Sequence, residues 1–127
     1  MSRILIVEDN PDLRNILRDL LAREYDVETA RTGEDAIRLA EAKPPDAVIL
    51  DLQLPAMDGV EAGRWIKTRL APRHVPILVL TALAGPGDSD AILSAGCCDA
   101  YMAKPATLAS IRKKIQELLA ENTAQAN

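Results

Sequence analysis

Five short apolar or mixed runs punctuate the chain: ILIV at residues 4–7, YDVETA at 25–30, AVIL at 47–50, ILVL at 77–80 and AYMA at 100–103. The first, third and fourth are continuous rather than alternating, the pattern of parallel strands covered on both faces. The second and fifth mix polar with apolar positions, as suits strands at the two edges of a sheet. Between the runs lie amphipathic stretches of helical period. Leu13, Ile16, Leu17, Leu20 and Leu21 fall at i, i+3, i+4, i+7 and i+8, a stripe on one helix face. Asn10 followed by Pro11 is an N-cap and first helical residue. Thr32 caps a second helix through about residue 42 that turns Ala36, Ile37 and Ala40 inward. Further helices are predicted over about 58–70, 88–94 and 108–119, the last with Leu108, Ile111, Ile115, Leu118 and Leu119 on one face. Residues 121–127 form a polar tail, expected to fray, behind a single domain spanning residues 1–120.

Strands that alternate with helices through short connections imply right-handed βαβ units and a parallel sheet. A chain of 127 residues is too short for a closed eight-fold barrel. The expected fold is therefore α/β: an open, doubly wound, five-stranded parallel sheet with helices on both faces. Ligands of such sheets bind outside the carboxyl ends of the strands, where the strand order switches. That rule directs attention to the residues that follow each run.

Composition narrows the class. Aromatic residues make up 2% and phenylalanine is absent, so the core has to be aliphatic. No apolar run approaches the roughly 20 residues of a membrane span, and the first residues pass from apolar to charged too quickly for a signal peptide. The expectation is a cytoplasmic protein without a membrane partner. A net charge of −4, with acids and bases interspersed, offers no basic surface for nucleic acid. Cys97 and Cys98 are adjacent and lack the spaced partners of a metal or redox motif, so they read as small buried hydrophobes. His74 is the sole histidine, which excludes a histidine metal cluster.

At the carboxyl ends of the runs stand Glu8 and Asp9, Asp51, Thr81 and Lys104. Each alone has an ordinary structural role open to it: a helix-capping acid, a strand threonine, a solvated lysine. Asp51 is harder to dismiss, because it ends a buried run where an unpaired acid is costly. Together they bring three carboxylates, a hydroxyl and an ammonium to one sheet edge. Two like charges about 4 Å apart repel by roughly 4 kcal/mol at an effective dielectric of about 20. A hard divalent cation with oxygen ligands is the natural counter-ion, and Mg²⁺ suits a small site of this kind. With the acids neutralised, one carboxylate can act as a nucleophile toward phosphorus. Lys104 and Thr81 would then stabilise the transferred group by charge and hydrogen bond, which is most of what phosphoryl transfer demands.

The segments ILIVEDN, AVILDLQLPAMDG, PILVLTAL and YMAKP, in this order, resemble the receiver domains of bacterial response regulators. The likeness runs from Arg3 to about Leu119, and four segments in sequence are specific where one would be weak. The resemblance implies the flavodoxin-like strand order 2-1-3-4-5. It implies that Asp51 is the phosphoacceptor, that Asp9 and Asp51 bind Mg²⁺ directly with Glu8 reaching it through water, and that the backbone carbonyl of Gln53 completes the metal shell. Lys104, followed by a proline that the family usually holds in a cis bond, would contact the phosphoryl group, and Thr81 and Tyr101 match the family's switch pair. Gly59 and the Leu54-Pro55 turn would shape the loop beside Asp51. One departure is an extra residue between Gly96 and Tyr101, around Cys97-Cys98. A histidine kinase or a histidine phosphotransfer protein would be the donor, meeting Arg14, Asn15 and Arg18 at the start of the first helix together with the loop after Lys104. A downstream protein or a second copy would dock on the face of the fourth helix, fifth strand and fifth helix. Two alternatives differ in class. A phosphohydrolase on a similar sheet commonly carries a second carboxylate two residues after its nucleophile, and here that position is Gln53. A phosphorylation-independent interaction module would be expected to have lost an acid or the lysine, and none is lost.

Overall fold

The computed structural model describes residues 1–82 and 87–126, without the side chains of Ser89 and residues 123–126. Strands and helices alternate along the whole length: β1 (Arg3–Val7), α1 (Pro11–Leu21), β2 (Asp26–Ala30), α2 (Gly33–Ala42), β3 (Ala47–Leu50), α3 (Gly59–Leu70), β4 (Ile77–Thr81), α4 (Asp88–Ser94), β5 (Ala100–Ala103) and α5 (Leu108–Ala126). The five strands are all parallel, in the order β2-β1-β3-β4-β5. The doubly wound sheet and its strand order agree with the sequence reading. The switch in order lies between β1 and β3, where the chain leaves one side of the sheet for the other.

Alternation along each strand divides the core in two. Ile4 and Ile6 of β1, Ala47 and Ile49 of β3, and Leu78 and Leu80 of β4 pack with Leu17 and Leu21 of α1 and Ile111, Ile115 and Leu118 of α5. Leu5, Val7, Val48, Leu50, Ile77 and Val79 point the other way, into α2, α3 and α4 through Ala36, Ala40, Ala62, Ile66 and Ile92. Every residue of β3 and β4 is buried, while β2 and β5 are only partly covered, as their mixed composition predicts. Small residues dominate α2 and the buried side of α3 because these helices also pack on each other, leaving little room above β1 and β3.

Local signals set most boundaries. The Asn10 side chain accepts from the backbone N–H groups of Asp12 and Leu13 at 2.9 and 3.2 Å, with Pro11 beginning α1. Thr32 accepts from Asp35 N–H at 3.1 Å, and Asp58 from Val60 N–H at 2.7 Å. Three details depart from the pattern along the chain. Ile16 and Leu108 belong to the apolar stripes but are 49% and 40% exposed. The last helix also continues to Ala126, through the polar residues expected to fray; Ala, Glu and Gln sustain a helix that has already nucleated. Asn127 lies outside the described residues.

Candidate phosphorylation and metal site

Four site residues are set by the strand ends themselves. Glu8 follows β1, and its N–H donates to Ala30 O at 3.1 Å; Asp51 follows β3, and its N–H donates to Val7 O at 3.0 Å. Lys104 follows β5, and its N–H donates to Thr81 O, the last residue of β4, at 2.8 Å. The ladder therefore continues one bond past each strand, so the sheet fixes the position of every backbone from which these side chains spring. At that edge Lys104 Nζ donates to Glu8 Oε1 at 2.8 Å and to Asp51 Oδ2 at 3.1 Å. The second oxygen of each acid is also engaged: Glu8 Oε2 accepts from Asn10 N–H at 3.2 Å, and Asp51 Oδ1 from Gln53 N–H at 3.0 Å. Glu8 and Asp51 are 2% and 4% exposed.

One ammonium is thus shared by two buried acids, and the protonation preferences follow. Burial pushes the Glu8 carboxyl above its ordinary range, outweighing its part share of Lys104 and the nearby Asn10 N–H. For Lys104, burial acts to lower the ammonium, but hydrogen bonds to Glu8 and Asp51 together outweigh it and the group is raised. Asp9 completes the cluster. Carboxylate oxygens of Glu8, Asp9 and Asp51 all lie within 4.8 Å of one another, and Asp9 is exposed, its side chain without a hydrogen bond or ion pair among the described residues. Three ionised acids against one lysine leave a formal charge of −2, so a divalent cation balances the site. An all-oxygen donor set of this size fits Mg²⁺.

Two further contacts shape the loops around the acids. Arg14 reaches back from the first turn of α1, and its Nη1 donates to the carbonyls of Glu8 and Asp9 at 3.0 and 3.3 Å. The residue is half-buried: it clamps the loop that carries the acid pair, a role its place off the apolar stripe did not disclose. Gly59 opens α3 where a Cβ would stand 2.4 Å from Leu52 Cα and 2.6 Å from Asp51 O. Only glycine lets the helix start so close to the Asp51 strand end, and its own N–H donates to Leu52 O at 3.0 Å.

The sequence profile of the response regulator receiver domain matches residues 4–116. The chain belongs to this family. It is a phosphoacceptor receiver domain of two-component signalling, and its acidic cluster fits the family's phosphorylation site. Among similar receivers, the polar-differentiation response regulator DivK of Brucella ovis is 35% identical over 119 residues, covering 93% of this chain and 96% of the relative. The receiver domain of the sensor histidine kinase PA1611 of Pseudomonas aeruginosa, solved with magnesium coordinated in its active-site cleft, is 37% identical with a TM-score of 0.84, over 94% of this chain and 98% of that one. A CheY-like receiver from Methanospirillum hungatei superimposes with a TM-score of 0.89 at 26% identity, over 98% of both chains.

Receiver residues away from the acid cluster fall as follows. Thr81 is fully buried at the end of β4, and Tyr101 is half-buried on β5, packed against the core beneath α2, α3 and α4. Register pairs Val79 with Tyr101 and Thr81 with Ala103, so Thr81 and Tyr101 share a sheet face two residues apart along neighbouring strands. The Lys104-Pro105 bond is cis. Gln53 is exposed. Asn15 and Arg18 are exposed on α1 and, with Arg14, line a groove of ≈ 350 Å³ shared with Arg31 and Arg38. An apolar cavity of ≈ 460 Å³ lies beside Lys104, walled by Leu13, Pro105, Ala106, Leu108 and Ile111. No described helix is long and apolar enough to cross a membrane.

Proposed function

We propose that Asp51 receives the phosphoryl group, on one carrying observation: it is a buried acid at a strand end, with Lys104 Nζ at 3.1 Å and carboxylate oxygens of Glu8 and Asp9 within 4.8 Å. A carboxylate oxygen of Asp51 attacks phosphorus in line with the donor's imidazole nitrogen. The O–P bond of an acyl phosphate forms as the N–P bond breaks, and the imidazole leaves and takes up a proton. Lys104 already contacts Asp51 and balances the charge that arrives with the phosphoryl oxygens, while the Thr81 hydroxyl donates to one of them. Asp9, Asp51 and the Gln53 carbonyl, with Glu8 through water, would hold Mg²⁺, whose charge would let an anionic group approach three acids. Hydrolysis of the same acyl phosphate by water resets the domain, so the chain catalyses its own modification and turns over no free substrate. Gln53, where a phosphohydrolase carries its general acid, supports this over the hydrolase reading.

A histidine kinase or histidine phosphotransfer protein is the donor in this reading. The arginines around the α1 groove and the apolar cavity beside Lys104 flank the site, offering charge and apolar area to such a partner. Phosphorylation draws Thr81 toward Asp51, and Tyr101, on the same sheet face, moves inward behind it. That alters the surface of α4, β5 and α5, where a downstream protein or a second copy docks; Leu93 on α4 is 42% exposed there. Acetyl phosphate with Mg²⁺ is expected to add one phosphoryl mass to the wild-type chain and none to Asp51→Asn. Undiminished labelling of the variant would remove Asp51 from this role.

A further inference from the structure

Three elements build the groove beside α1. Arg14 and Arg18 come from α1, Thr29 and Arg31 from the carboxyl end of β2, and Arg38 from α2. Because α1 and α2 pack on opposite faces of the sheet and β2 is an edge strand, the groove lies where both layers pass beyond that edge. Four guanidiniums line its ≈ 350 Å³ against a single carboxylate, Asp35, in a chain whose net charge is −4. Asp35 is already engaged, since Arg38 Nη2 donates to it at 3.0 Å. Arg18 has only its neighbour Asp19 at 3.5 Å, and Arg31 forms no hydrogen bond or ion pair among the described residues. Arg14 is held in place by its bonds to the Glu8 and Asp9 carbonyls and forms the wall nearest the acid cluster. One exposed arginine is ordinarily solvated and says nothing. Four that wall one concave space repel one another, and arginine cannot relieve the repulsion by losing a proton. A bound anion does.

The lining narrows the anion. Guanidinium forks match phosphate oxygens two at a time, and the Asn15 amide and Thr29 hydroxyl add neutral donors. Apolar lining is confined to Ala30 and Leu39, and no aromatic ring is present to stack a base. A nucleotide therefore finds nothing for its base, and a protein segment finds little apolar area to bury. The volume falls at the small end of the about 300–1,000 Å³ typical of small-ligand sites. We propose that the groove is a binding site for an oligophosphate, a short chain of phosphates such as pyrophosphate or tripolyphosphate. Arg18, Arg31 and Arg38 hold it, with Arg14 at the inner wall. Association is ionic, and no covalent bond forms or breaks. If Arg18 also meets the protein donor, as proposed above, an occupied groove excludes that contact; the binding itself does not depend on that reading or on Asp51.

The test titrates the wild-type chain with phosphate, pyrophosphate and tripolyphosphate, by calorimetry and amide NMR, at low ionic strength. Magnesium is left out, because it would draw phosphate to the acid cluster. One saturable site is expected, tightening with each added phosphate and weakening as salt rises. The largest shifts should fall at Asn15, Arg18, Arg31 and Arg38. Arg18→Gln and Arg31→Gln, both at exposed positions, should each weaken tripolyphosphate several-fold while melting as the wild type does. Unchanged affinity in both variants would place the anion elsewhere and overturn the site. So would titrations that never saturate, or shifts spread equally to Arg23, Arg64 and Arg112 outside the groove, the mark of a diffuse ion atmosphere. An acidic peptide of equal charge that shifts the same residues and binds more tightly would make the groove a protein contact and overturn the oligophosphate. Since the wild-type titration decides by itself, a variant that fails to fold leaves the outcome readable. Acetyl phosphate labelling with Mg²⁺, run in parallel, reads Asp51 separately.

Discussion

Glu8 is the residue at which the site's electrostatic conflict is concentrated. Its carboxyl is buried, shares Lys104 with Asp51, and is raised above its ordinary range. A group whose folded-state pKa is raised binds protons more readily when folded, so its contribution to stability is greatest at low pH. It is lost as pH climbs through the folded value. Glu8→Gln removes that penalty, and in metal-free buffer the variant is expected to melt a few degrees above wild type near pH 7. The gap should close below about pH 4.5, and saturating Mg²⁺ should reverse it. A variant that melts below wild type without metal at neutral pH would show that the Lys104 ion pair outweighs the burial cost. Gly59 sets a steric limit of a different kind. The Cβ of Gly59→Ala would meet backbone of Leu52 and Asp51 rather than a side chain able to turn aside. Overpacking of this sort costs about 1–3 kcal/mol, read as a lower melting temperature together with slower acetyl phosphate labelling.

At the scale of elements, helix α1 does three jobs with three sets of residues. Leu17 and Leu21 bury it against β1 and β3, Asn10 caps its first turn, and Arg14 ties the β1–α1 loop to it. Arg14→Ala should therefore weaken Mg²⁺ binding several-fold, measured by titration of the metal-dependent rise in melting temperature, because the Glu8-Asp9 segment is no longer held. Arg18 makes no such contact; its nearest acid is its neighbour Asp19 at 3.5 Å. Arg18→Glu should leave both Mg²⁺ affinity and acetyl phosphate labelling unchanged while slowing transfer from a protein donor. Equal loss with both donors would mean that Arg18 supports the site rather than the partner. Tyr101 lies on β5 and Lys104 directly follows it, so one short strand would position both the lysine and the aromatic that the proposed switch uses.

For the whole molecule, the proposed reading has metal, phosphoryl group and output face coupled through a single sheet. A ligand bound only by the native state stabilises it by about 2.7 kcal/mol at a hundredfold excess over its dissociation constant, so Mg²⁺ should raise the melting temperature by several degrees. Beryllofluoride, standing for the phosphoryl group of an acyl phosphate, should then spread NMR shifts from Asp51 through Thr81 to Tyr101 and α5. Thr81→Ala should confine them to the strand ends. The shift in population can be no larger than the bound group's preference for one state. Wild-type perturbations that stop at the acid cluster would mean the signal leaves by another face.

Periodicity and the residues at strand ends were enough to read the doubly wound sheet, the positions of its helices and the identity of the acid, lysine and threonine at one edge. Each depends on local information: apolar runs mark buried strands, Asn10, Thr32 and Asp58 cap helix N-termini by short-range bonds, and parallel topology sends every strand's carboxyl end to the same side. Other features required distance in space between residues far apart in the chain. Lys104 meets Glu8 across 96 positions, and it is the burial of that meeting point, only partly offset by Lys104, that raises Glu8. The stripes of α1 and α5 named Ile16 and Leu108 as core, but a periodic stripe cannot say which of its members meet a neighbouring layer, and both stay exposed. Arg14 was legible as a charge off the stripe, yet its direction back onto the Glu8 and Asp9 carbonyls depends on how α1 leaves the loop. Cys97 and Cys98 were legible only as small apolar residues. That α3 passes so close to their loop, with a Cβ at Gly63 meeting Cys97 O at 2.4 Å, is a contact between distant segments that no local pattern encodes.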